Sequence, residues 1–197
     1  MSAFEFNPDQ VAYAEAHGWR AYYDRDWFTL LRLIVSLCQA QFRIPFPVSL
    51  LAAYYVTRAS IAWVPLDHDA AVVRGFYTRF YRLARRYSGL TFDPEIAGAL
   101  ELEYNDIHRR LVGQADKTTF IDTMTRLHSH LFGISPEQAR ESAELRVAAN
   151  NTVDTITGKT STDPEADWRK LEDQLRACYR SLQNAGFKEA AAVSSAR

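Results

Sequence analysis

A carboxylate on the apolar face of a helix is costly unless another group pairs with it. The segment from Asp93 to Gly113 carries such a misfit. Read at the helical period, Ile96, Leu100, Ile107 and Leu111 share one face. Glu103 falls in the middle of that face with Tyr104 beside it, and Glu101 and His108 lie on its flank. The same misfit recurs elsewhere. Arg58 is the one charged residue in an otherwise apolar helix, and His128 shares a face with Phe120, Met124, Leu127 and Leu131. Arg146, Asn150 and Asp154 repeat at i, i+4 and i+8, a polar ridge flanked by Ala143, Val147 and Val153.

Interior polar clusters with perturbed ionisation mark active and binding sites. Glu103, His128, Arg58 and Tyr104 are therefore the candidate catalytic set. Glu103, His108 and His128 are the candidate ligands of a mononuclear metal, with haem held by His128 as the variant. A bound metal or haem would make the protein an oxidoreductase, although no motif specifies a cofactor. Helical di-iron sites use Glu-x-x-His, which this chain lacks; its nearest spacings run from Glu101 and Glu103 to His108 and from Asp122 to His128. The competing reading is structural: Arg58 pairs with Glu103 and Arg146 with Asp154, both as buried ion pairs.

Geometry sharpens the first reading. The connection Gly113-Gln114-Ala115 is short, so the helices on either side should pack antiparallel. Glu103 and His128 then lie at similar depth, roughly 15–18 Å from the turn at about 1.5 Å per residue. A shared ligand or a direct carboxylate–imidazole bond requires that match.

Other chemistries find little support. Asp67-His68-Asp69 stands at a helix start, where acidic groups satisfy free amides. Cys38 and Cys178 sit among apolar neighbours, no serine elbow is present, and the 8 glycines fall mostly at helix ends instead of forming a phosphate loop. In VVRGFYTRFYRLARRY, Val72, Phe76, Phe80, Leu83 and Tyr87 form one side and the arginines lie mostly away from it. That is ordinary amphipathicity, and no nucleic-acid partner is expected.

The elements that must position these residues are well punctuated. Asn7-Pro8-Asp9, Asp93-Pro94-Glu95 and Asp163-Pro164-Glu165 read as capped helix starts, and Ser135-Pro136-Glu137-Gln138 has the spacing of a capping box. Asp24 or Asp26 opens a second helix, Asp67 a fourth and Asp116 a sixth; glycines 89, 113, 133 and 158 end helices. No stretch sustains the two-residue period of a strand. The expected fold is all-α: one domain over residues 1–186, a bundle of about eight helices without a sheet, and a frayed tail over 187–197.

Bulk composition bounds the rest. With 47% hydrophobic residues in 197 the chain has the material for one core. A net charge of -1 from 23 basic and 24 acidic residues supplies no global field toward nucleic acid or anionic lipid. Two isolated cysteines suit a reducing compartment, and MSAFEFNPDQ lacks the pattern of a signal peptide. The longest apolar tract carries Arg32 and is too short to span a bilayer. A soluble cytoplasmic protein is expected, with no membrane partner. Two functions follow from these features. One is a small enzyme or ligand-binding protein with an interior His/Glu/Arg site. The other is a non-catalytic helical protein–protein interaction module whose buried polar groups set helix register, and self-association into a homo-oligomer is open to either.

Overall fold

The computed structural model describes the backbone of residues 4–195 and the side chains of residues 4–186. Within them the chain is all-α, with no strand: α1 Pro8–Tyr23, α2 Trp27–Phe42, α3 Val48–Trp63, α4 Ala70–Ser88, α5 Pro94–Leu111, α6 Thr118–Phe132, α7 Pro136–Thr157 and α8 Pro164–Ser195. The tail expected over 187–197 falls where side chains lie outside the described residues. Among the described residues no helix is long and apolar enough to cross a membrane.

Helix ends follow the local chemistry. The Asn7 side chain accepts the amides of Asp9 and Gln10, Asp93 accepts that of Glu95, and Asp163 that of Ala166, each just ahead of or behind a first-turn proline. At α7 the Ser135–Gln138 capping box is closed in both directions. The cap of α4 is Asp69, not Asp67, because Asp69 reaches the amides of Ala71 and Val72. Gly89 and Gly133 close α4 and α6 in the left-handed conformation that an L side chain disfavours.

Each helix packs on its neighbours in sequence, and α8 returns to pack on α1. The result is a closed ring of helices around a shared interior. Two apolar clusters fill it. One is built from α2 to α7 around Phe42, Tyr81, Phe120 and Leu127, the other from α1, α7 and α8 around Val11, Leu171, Leu175 and Leu182. Phe132 packs against both.

The inward faces are not always the ones that apolar periodicity selects. On α4 the buried line is Val73, Tyr77, Tyr81, Ala84 and Ser88, one position round from the expected Val72–Phe76–Phe80 line, and Val72 is exposed. On α5 the buried residues include Ala97, Gly98, Leu100, Tyr104 and Ile107, whereas Ile96 is exposed. The physical reason is close approach of backbones. A methyl group on Gly98 would meet the Oγ1 and N atoms of Thr78 at 2.8 and 2.9 Å, so α5 turns its smallest residues toward α4.

Candidate functional site

Rotation of α5 decides which polar residues enter the interior. Glu103, expected at the centre of the buried face, lies at the α5–α6 edge. It is bound there by Arg126 and by the Thr123 hydroxyl, and its side chain keeps 43% of its exposure. Arg58 is on the outer face of α3, with its guanidinium over the rings of Tyr54 and Phe76 and donating to the Tyr54 hydroxyl at 3.1 Å. The expected Arg58–Glu103 pair is therefore not formed. Nor do Glu103 and His128 share a site, because Glu103 turns to the half-exposed α5–α6 edge while His128 is buried on the interior wall.

The residues that do converge surround a cavity of about 140 Å3, and all eight helices contribute to its wall. Glu101 of α5 stands where Glu103 was expected. Its carboxylate accepts the Tyr81 hydroxyl of α4 at 2.8 Å. Burial raises the Glu101 pKa, against the Tyr81 bond and the positive charge of Arg146, which both lower it. Tyr104, one turn further on, accepts a hydrogen bond from the Asn150 amide and stacks on Phe120 at 5.2 Å. Burial raises its pKa as well, so it remains a phenol.

Arg146 of α7 enters from the other side. Its charge is met by Glu15 of α1, and Glu15 also accepts the Tyr179 hydroxyl of α8. Burial, the largest influence, would by itself lower the pKa of Arg146, but the Glu15 carboxylate together with the Tyr104 and Tyr179 oxygens outweighs it and the net effect is upward. Its Nη1 is in direct contact with the Glu15 carboxylate. The ridge of Arg146, Asn150 and Asp154 thus faces inward as a set, but with other partners. Arg146 pairs with Glu15, and Asp154 accepts His108 Nε2 at 3.0 Å, where Arg146–Asp154 had been expected.

His128 lies on the cavity wall, buried, with Nδ1 at 2.8 Å from the Ser142 hydroxyl. That hydroxyl spends its single proton on the Ala139 carbonyl at 2.7 Å. With the hydroxyl proton assigned to that carbonyl, Nδ1 carries the ring hydrogen and donates to Ser142, and the Nε2 lone pair is left without a protein donor. Burial, helped by the Arg146 charge, lowers the His128 pKa to about 3. The ring is neutral across the physiological range.

Of the residues singled out by their misfit, His128, Tyr104, Arg146 and Glu101 meet at the cavity; Glu103, Arg58 and His108 stand away from it. Among the described residues no three His, Cys, Asp or Glu side chains are grouped so as to hold a metal ion. The trio Glu103, His108 and His128 is dispersed onto Arg126, Asp154 and Ser142 respectively. Haem on His128 has no room, because about 140 Å3 falls well below the ~300–1,000 Å3 of cofactor pockets. Both cysteines are buried thiols whose pKa burial pushes up to about 12.

Glu15, Tyr179 and Tyr81 were missed. Glu15 had a visible signal: it follows Val11 by one turn among Ala12, Ala14 and Ala16, a small-residue face that packs closely. The two tyrosines had none, since a tyrosine beside an apolar stripe is ordinary core material.

No protein-family model matches the chain, and neither does a curated protein or a solved structure.

Proposed function

We propose that the protein binds a small uncharged molecule of about the size of benzene, bearing one hydroxyl group, in the cavity at the centre of the helical ring. The observation that carries this reading is the lone pair of His128 Nε2, which a neutral, immovable imidazole presents on the cavity wall without a protein donor. A hydroxyl is the complementary donor. Charge is already balanced by Glu15, so an anionic ligand would add an unmatched buried charge. Size follows from volume: an apolar cavity of ~150 Å3 accommodates benzene. Phe80, Met124, Leu127 and Leu131 supply the apolar wall such a ring requires.

The test is calorimetric titration of the whole chain with phenol and, separately, with benzene. Phenol should bind more tightly than benzene. His128→Leu should weaken phenol by about 2–13-fold, the worth of one net hydrogen bond of ~0.5–1.5 kcal/mol, while leaving benzene affinity within about twofold and the circular dichroism unchanged. If neither compound binds the folded protein, the cavity holds water alone and the reading fails.

A further inference from the structure

The outer face of the α2–α3 hairpin distributes its apolar volume in reverse. On α3 the residues turned inward are small, Ser49, Ala52, Ala53 and Ala59, while Leu50, Leu51, Tyr54 and Ile61 are exposed. On α2 only Leu33, Cys38 and Phe42 are buried, and Trp27, Phe28 and Leu31 stand outside, with Phe28 at 80% exposure. The hydrophobic effect drives large apolar side chains out of water. A helix that buries its alanines and exposes its leucines has a second surface to cover. The two helices touch and are joined by the short connection 43–47, the arrangement of an antiparallel helical hairpin.

We infer that this face is where two copies of the chain meet, α2 and α3 of one against α2 and α3 of the other. Size and charge select that occupant. At about 150–250 Å2 per fully covered aromatic, the exposed parts of Trp27, Phe28 and Tyr54 with Leu31, Leu51 and Ile61 come to roughly 700 Å2, near the ~800 Å2 each partner covers in a standard interface. Electrically the face is quiet. Neither helix contains a carboxylate, and each contains one arginine. Arg58 is held over Tyr54 and Phe76 on its own chain, and Arg32 lies within electrostatic reach of Asp26. Two separated arginines fall short of the basic clusters that select an anionic lipid surface. A two-fold pairing of like faces, the commonest symmetry of soluble assemblies, needs no complementary charge. This inference is independent of the interior cavity.

Sedimentation velocity on the whole chain tests it. The wild type should sediment as a dimer at tens of micromolar, and the double variant Phe28→Asp, Ile61→Asp should shift to monomer with unchanged circular dichroism. Because Cys38 and Cys178 are both buried, a new surface cysteine reports proximity between copies independently of stability. Under mild oxidation, at least one of Trp27→Cys, Leu31→Cys and Ile61→Cys should form an intermolecular disulfide, while Lys170→Cys on α8 should not. A wild type that stays monomeric at 100 µM overturns the inference. So does a dimer that none of the three cysteines cross-links, or a monomer that pellets with phosphatidylglycerol vesicles.

Discussion

At the scale of single residues, the interior site is governed by two groups whose ionisation burial shifts in ways that favour the neutral form. His128 titrates at about 3 in the folded chain, against ~6.5 when unfolded. Its neutrality costs nothing above the unfolded value. As pH falls from ~6.5 toward 3 the unfolded state takes up the proton first, and stability drops by up to about 1.4 kcal/mol per pH unit. His128→Asn keeps a donor for Ser142 and cannot titrate, so its melting temperature should fall less steeply over that window. Calorimetric scans at pH 4, 5, 6 and 7 check this; parallel curves for variant and wild type would show that His128 is not the group responsible. Glu101 runs the other way. Its folded pKa is raised, so its contribution is fully present below the unfolded carboxylate value and is lost as pH rises through the folded one. Glu101→Gln retains an acceptor for Tyr81 and should therefore raise the melting temperature at pH 7 while having little effect at pH 4. The Arg146–Glu15 pair makes the largest demand. Glu15→Ala leaves a buried guanidinium uncompensated and should cost about 3–5 kcal/mol in denaturant unfolding. By contrast Glu103→Ala removes a half-exposed pair with Arg126 and should cost under ~1 kcal/mol.

At the scale of elements, starts and stops were legible because they depend on groups within one turn of each other. Asn7, Asp93, Ser135 and Asp163 reach amides two or three residues away, and no distant contact is needed to specify that. The inward face of each helix was legible only where large apolar residues coincide with tight packing, as on α6 and α8. On α4 and α5 they do not coincide. There, Gly98 and Ala97 allow close approach to Thr78, and the helix pair rotates about that contact. Gly98→Ala should destabilise the fold by about 1–3 kcal/mol, the usual cost of overpacking. Thr78→Ser cannot relieve it, since the backbone nitrogen of Thr78 is as close to the new methyl as its hydroxyl. A neutral or stabilising Gly98→Ala in chemical denaturation would show that the α4–α5 contact is looser than described.

At the scale of the whole molecule, ring closure makes the site. Glu15 and Tyr179 come from α1 and α8, 164 residues apart, and they meet only because α8 returns to α1. The polar groups lie where the two apolar clusters adjoin, with Tyr104 and Tyr81 in one and Tyr179 in the other. A truncated chain lacking α8 should therefore lose both Tyr179 and the wall that α8 gives the cavity. Phenol binding by such a fragment would place the ligand elsewhere.

The amino-acid sequence by itself determined that the chain is helical, where its helices begin and end, and that polar residues enter its interior on α5, α6 and α7. Those properties rest on interactions of a few residues' range: caps, glycine stops, and apolar periodicity interrupted by charge. Tertiary structure alone decided which charge meets which. Side-chain direction on a helix turns by about 100° per residue, so a one-residue rotation of α5 exchanges Glu103 for Glu101 at the cavity. That rotation is set by the fit of Gly98 against Thr78, a contact between helices that no local pattern records.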